Sequence, residues 1–329
     1  MARSWTSEDI QALMRAYQDT CVLGAAAELD IFTQLAGGPA TAQQIAERAS
    51  TDLRATCMLL DALAAMDLLV KDGDRYACAA GVMQALTAGK GSVLAMTQHQ
   101  MNCLRQWSQV ARVVQTGRPA ERQPSVRGKA GDQQSFIEAM NDISGPNVER
   151  IVREINVIPW THVLDVGGAS GTWTIAWLAA NQAGRATLFD LPHVIPMARS
   201  RLAAAGVADR VTLATGDFTT DELPKGADLA WISAIIHQQS RQENQDLYRK
   251  TKRSLTPGGH VMIRDIVMDE NRTHPRAGAM FAINMLTATN TGGTFTFSEI
   301  RDDLEAAGFG EVRLIRTDAW MNAVVMAQA

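Results

Sequence analysis

Between the apolar run THVLDV and a run of helical texture stands Gly167-Gly168-Ala169-Ser170-Gly171. Glycines between a strand and a helix let the backbone turn sharply and approach a ligand closely. Ala169 occupies the middle glycine position of GxGxxG, and no GK[ST] follows to cradle phosphates. Two acids follow at corresponding places. Asp190, before Leu191 in FDLP, ends the next apolar run, roughly 25 residues after Asp165, where a carboxylate can accept both hydroxyls of a ribose. Asp217, in GDF, ends the run after that and suits the amino group of adenine, with Phe218 beside it to line the ring. Loop and acids together point to an adenosine-bearing ligand at one edge of a sheet. The plainer role for each acid is to cap the helix that follows. A nicotinamide enzyme is the rival use of such a sheet, and the missing glycine and the second acid count against it.

The elements that must position these residues alternate. Strands are read at His162–Val166, Ala186–Asp190, Val211–Ala214, Leu229–Ser233 and His260–Ile266. Helices intervene near Trp173–Asn181, Val194–Ala205, Glu243–Leu255 and Phe297–Ala307. This βαβ series predicts an α/β fold, a doubly wound parallel sheet with helices on both faces. Val312–Arg316 and Ala323–Ala327 read as a closing antiparallel hairpin.

The first part of the chain is helical. Ser7 can cap a helix carrying Ile10, Leu13, Met14 and Tyr17, and Thr41 can cap another after the breaker Gly37-Gly38-Pro39. A third helix near Leu53–Met66 leads into LLVKDGDRYAC, whose Asp72-Gly73-Asp74 marks a hairpin. Three helices and a hairpin make a winged-helix pattern. Its would-be recognition helix carries only Arg54 as a cation, so it suits packing against protein rather than DNA. These textures predict domains at 1–115 and 158–329, joined by a linker and connecting helix at 116–157, with TGRPAERQPSVRGKAGDQQ as its surface stretch.

The chain has 329 residues, enough for two domains. Its net charge of −4 offers no electrostatic footprint for nucleic acid or an anionic membrane. No secretory leader or membrane span is visible, and the four scattered cysteines read as buried thiols of a cytoplasmic protein. No metal-ligand constellation appears.

The D-x-G-G-x-x-G spacing is that of methyltransferase motif I, and the chain resembles S-adenosylmethionine-dependent O-methyltransferases of the plant caffeic acid, bacterial polyketide and acetylserotonin type. ELDIFTQL, FIEAMNDIS, DVGGASG, FDLP, GDF, LTPGGHVMIRD, NML and the Gly-Gly before SEIRDDLEAAGF carry the resemblance over nearly the whole chain. It implies S-adenosyl-L-methionine as cofactor and a small aromatic or polyketide-like acceptor. It also implies a homodimer built on the N-terminal helices. Asp165, Gly167, Gly168, Gly171, Asp190, Leu191, Asp217 and Phe218 would hold the cofactor, with Ser144 and Ser233 on its methionine end. Phe136, Met140, Met285 and Asn290 would line the acceptor pocket, though core packing explains them equally.

The resemblance places the general base at His237, within SAIIHQQS, where Gln238 and Gln239 replace the usual aspartate and tryptophan. A hydroxyl attacking a sulfonium methyl must shed its proton, and a neutral imidazole can take it. Asp265 corresponds to the family's first acidic partner of that histidine; a second, glutamate partner after Gly292-Gly293 has no match. The altered His-Gln-Gln stretch leaves open C- or N-methylation, decarboxylation or hydroxylation on the same scaffold.

Overall fold

The structure is a computed structural model that describes residues 3–89, 91–144 and 147–329; the side chains of residues 141–144 stand outside that description. The chain sorts into two compact units, residues 1–108 with 121–143 and residues 109–120 with 144–329. Neither is continuous in sequence, unlike the expected divisions near 115 and 158. Helix Gly128–Ser144 begins inside the stretch read as surface linker. Two turns into it, Ser135 Oγ donates to the buried Gln98 of the same unit at 3.0 Å.

In the first unit, helices Ser7–Arg15, Tyr17–Glu28, Ala42–Ala49 and Leu53–Ala65 accompany three short strands, β1 (Ala40–Thr41), β2 (Leu69–Asp72) and β3 (Arg75–Cys78). β2 and β3 form the expected hairpin, and β1 joins it to give the order β1-β3-β2. Ile31, Phe32, Ile45, Leu60, Leu63 and Tyr76 fill the core. Thr41 caps its helix with a capping box closed by Gln44. The first helix is capped one residue earlier than Ser7. Thr6 accepts from the Asp9 N–H while the Asp9 carboxylate takes the Thr6 N–H, a reciprocal pair that Ser7 has no partner to make. This helix buries none of its residues, and Ile10, Leu13, Met14 and Tyr17 stand exposed.

The second unit carries β4 (His162–Val166), β5 (Arg185–Asp190), β6 (Val211–Thr215), β7 (Ala227–Ser233), β8 (Leu255–Asp265), β9 (Val267–Met268), β10 (Phe295–Thr296), β11 (Gly310–Arg316) and β12 (Ala323–Gln328). Seven of them form one sheet in the order β11-β12-β8-β7-β4-β5-β6, and β9 pairs with β10. From β8 to β6 every neighbour is parallel; β12 runs antiparallel to β8, and β11 to β12. The apolar runs are nearly continuous because helices cover both faces. One face packs Trp160, Trp173, Trp177, Trp231 and Met262. The other packs Leu164, Val166, Ile232, Tyr248, Ile263 and Phe309. The chain leaves β4 toward β5 and β6, then returns to lay β7 on β4's other side. That reversal opens a crevice at the carboxyl ends of β4 and β7, the place where sheets of this kind bind ligands.

Candidate active site

β4 is followed at once by Gly167, whose φ of +65° is the left-handed turn that glycine adopts without strain. A Cβ there would also lie 2.6 Å from Ile235 Cδ1. The Gly167 N–H donates to the Phe189 carbonyl at 2.8 Å, tying the loop to the end of β5. Gly171, also left-handed, opens helix Thr172–Ala180. Ala169, an alanine at φ +46°, is held by its N–H donating to the Asp190 carboxylate at 2.7 Å. The other Asp190 oxygen accepts from the Leu191 N–H at 2.7 Å. Asp190 is therefore a loop anchor and caps no helix. Asp217 accepts from the Thr219 N–H and hydroxyl through Oδ1, which holds its carboxyl below the usual carboxylate range. Phe218 lies near Gly167, its ring 3.6 Å from where a Cβ would sit.

Asp165 lies beneath the loop, 1% exposed, and accepts from the Thr174 hydroxyl at 2.6 Å. Burial, aided by the nearby Asp190 charge, pushes its carboxyl up to about 7. Gly168 is packed between Leu188 and Asp165, with no room for a side chain.

Past Ser233, Ala234 takes a left-handed φ of +58°, at a cost of about 1–2 kcal/mol. The kink turns the chain into the short helix Ile236–Gln238, which presents His237. Asn244 Nδ2 holds the Ile236 carbonyl at 3.0 Å, and the Gly293 N–H holds the His237 carbonyl at 2.9 Å. A Cβ on Gly292 would sit 2.5 Å from that same carbonyl oxygen, so the Gly-Gly pair is what lets this segment close on the histidine.

The structure brings His237 and Asp265 together. Nδ1 lies 2.9 Å from both Asp265 oxygens, and both residues are buried. A carboxylate in that position accepts the Nδ1–H, which leaves the lone pair on Nε2. Asp265 Oδ1 also accepts the Ile266 N–H at 2.8 Å, which fixes the carboxylate plane. The Phe281 ring meets the imidazole edge-on at 4.9 Å between centroids. Gln238, in the place of the expected aspartate, is exposed and donates to the Ala234 carbonyl, while Gln239 is buried. Glu299, the glutamate next after the Gly-Gly, closes a capping box with Thr296 and pairs with Arg272.

Of the expected acceptor lining, Met285 is buried in helix Arg276–Ala288 and Asn290 is exposed beyond its end. Phe136 and Met140 lie on helix Gly128–Ser144 of the first unit, Phe136 half-exposed against His99. The Ser144 side chain lies outside the described residues. Ser233 ends β7 and accepts from Arg264 at 3.0 Å. Among the described residues no cluster suited to a metal ion occurs, and no helix is long and apolar enough to cross a membrane.

Comparison with known proteins decides the family. An O-methyltransferase domain model matches residues 122–310, and an O-methyltransferase dimerisation domain model matches residues 11–90. The 3-hydroxy-5-methyl-1-naphthoate 3-O-methyltransferase of Streptomyces sahachiroi is 30% identical, over 90% of this chain and 88% of its own. The chain belongs to the O-methyltransferase family. The tetracenomycin polyketide synthesis 8-O-methyl transferase of Streptomyces glaucescens is likewise 30% identical, covering 93% of this chain and 92% of that one. In fold, this methyltransferase matches PigF with SAH at a TM-score of 0.87, with 22% identity over 99% and 100% of the two chains. Sequence reasoning about the methyltransferase site missed three features: the Gly293 bond to His237, the kink at Ala234 and the buried Arg264. The first had a signal in the Gly-Gly pair. An alanine forced left-handed leaves none.

Proposed function

We propose that this methyltransferase moves the methyl group of S-adenosyl-L-methionine to the hydroxyl of a small aromatic, polyketide-like metabolite, with His237 as general base. The observation that carries the reading is the His237–Asp265 pair, standing at the carboxyl ends of β7 and β8 in the same unit as the glycine loop. The donor set suits the cofactor. Its ribose hydroxyls and adenine amino group are hydrogen-bond donors, and Asp190 and Asp217 offer acceptors at successive strand ends. Ser233 and Ser144 would take the methionine end, and Phe218 the purine face. S-adenosylmethionine supplies an electrophilic methyl carried on a sulfonium.

The chain's own residues do the rest. Asp265 holds the Nδ1–H, so His237 Nε2 accepts the acceptor's hydroxyl proton as its oxygen attacks, and the carboxylate stabilises the imidazolium that forms. Such a base contributes about 10²–10⁴-fold, and holding oxygen and methyl in line contributes ~7–11 kcal/mol more. Hydroxyl acceptors in both 30%-identical relatives favour oxygen over carbon, nitrogen or the non-methylating chemistries. The dimerisation match and the bare apolar stripe Ile10, Leu13, Met14 and Tyr17 support a homodimer. A reducing cytoplasm suits the four free, half-buried cysteines.

The test uses methyl-labelled S-adenosylmethionine with a panel of hydroxylated naphthoates and larger polycyclic phenols, products being read by mass. The expected result is label on oxygen with wild type and none with His237→Ala, while S-adenosylhomocysteine binds both proteins equally. Undiminished transfer by His237→Ala removes the base assignment.

A further inference from the structure

At the carboxyl end of β8, next to Asp265, a guanidinium is buried with no carboxylate paired to it among the described residues. Arg264 is 3% exposed. Its Nε and Nη2 fork onto the Asn322 side-chain oxygen at 2.9 and 2.7 Å. Its face lies 4.6 Å from the Trp173 ring, at the start of the helix that follows the glycine loop. Its Nη1 donates to Ser233 Oγ at 3.0 Å. Burial pushes the guanidinium down to about 10, the Asp265 and Asp318 charges opposing this from further off. A buried charge with neutral partners alone is costly to keep.

The Ser233 bond gives the charge a direction. A guanidinium has donors only, so Ser233 Oγ accepts from it, and the serine's own O–H is left to donate elsewhere. Ser233 and Arg264 are register partners across β7 and β8. The β4–β7 register sets Val166 beside Ile232, which brings Gly167 and Ser233 to the same crevice. What would satisfy both groups is a small anion on the ligand in that crevice.

We propose that Arg264 is a positioning residue that supplies the counter-charge for the α-carboxylate of the cofactor's amino-acid end, acting through the Ser233 hydroxyl. This rests on the S-adenosylmethionine reading and adds to it the group that distinguishes the whole cofactor from its nucleoside part. Arg264 polarises Ser233 and points its proton at the carboxylate, so the sulfonium is fixed at both ends before the acceptor arrives.

The experiment compares two ligands by calorimetry on the full-length protein. S-adenosylhomocysteine carries the carboxylate; 5′-methylthioadenosine keeps the adenosine and thioether and lacks the amino-acid end. For Arg264→Met the expected result is a Kd for S-adenosylhomocysteine raised ~10–100-fold, the usual worth of a hydrogen bond to a charged group, with 5′-methylthioadenosine changed less than about threefold. Arg264→Lys, which restores the charge, should recover part of the loss. Equal losses for both ligands, or no loss for either, overturn the proposal. Should Arg264→Met fail to fold, Ser233→Ala carries the test. It should likewise weaken S-adenosylhomocysteine ~10–100-fold and spare 5′-methylthioadenosine; any other pattern overturns the proposal. Wild type that binds neither ligand overturns the cofactor reading itself, which is a separate result.

Discussion

Replacing Asp265 by Asn changes one atom and should cost most of the activity. Asp265 Oδ1 accepts the Ile266 N–H at 2.8 Å, and an asparagine keeps its carbonyl oxygen there. The amide NH₂ then takes the place of Oδ2, 2.9 Å from His237 Nδ1. The retained carbonyl oxygen, also 2.9 Å from Nδ1, can still accept the Nδ1–H, so the tautomer survives and what is lost is the negative charge. The imidazolium formed during transfer then lacks its counter-charge. With charge centres about 4 Å apart and an effective dielectric of ~20, that attraction is about 4 kcal/mol. If half the charge has developed in the transition state the loss is about 2 kcal/mol, or ~30-fold. The assay is kcat on two phenols, one ionised only at high pH and one nitro-substituted and already ionised at neutral pH. Asp265→Asn should lose ~30-fold on the first and less than about threefold on the second, which needs no base. S-adenosylhomocysteine affinity should not move. A loss below about tenfold on the ordinary phenol, or equal losses on both, would refute the reasoning.

Three further outcomes follow from the geometry. Asp165, raised to about 7, binds a proton in the native state that the unfolded chain releases near 4, so wild-type stability falls as pH rises between those values, by on the order of 4 kcal/mol. Asp165→Asn removes the titration and can still accept from Thr174, so its urea midpoint relative to wild type should rise from pH 5 to pH 8; a pH-independent difference contradicts the assignment. Gly292→Ala puts a methyl 2.5 Å from the His237 carbonyl, so kcat should fall ~10-fold or more, as happens when a catalytic group shifts by about an ångström, with S-adenosylhomocysteine Kd unchanged. Leu13→Asp with Met14→Asp, on the bare face of helix Ser7–Arg15, should shift sedimentation toward monomer without unfolding the protein; an unchanged dimer places the interface elsewhere.

The sheet was legible because its strands are buried on both faces and so appear as short apolar runs. His162–Val166 matches to the residue, and the other strands of the sheet differ mainly at their ends. Bounds slip where two similar residues compete, as Thr6 and Ser7 do for one cap, and reciprocity with Asp9 settles it. The start of helix Gly128–Ser144 was missed because its first residues are small or polar, leaving apolar spacing to appear only from Phe136, and because Ser125 and Arg127 just ahead of it bond to Asp132 and Gln98 through contacts no spacing shows. In the site, types at strand ends were readable: the glycines, Asp190, Asp217 and, through the family's pattern, His237 and Asp265. The Arg264 fork onto Asn322 and its bond to Ser233 were not, since they depend on which strands lie side by side. Nothing local separates an arginine in MIRD from one in solvent.

The most direct measurement is a crystal structure with S-adenosylhomocysteine. The account predicts ribose hydroxyls on Asp190, adenine beside Asp217 and Phe218, and the sulfur facing His237 Nε2 with room for one acceptor oxygen between them. A nucleoside bound away from the β4–β7 crevice, or a sulfur turned from Nε2, would contradict it.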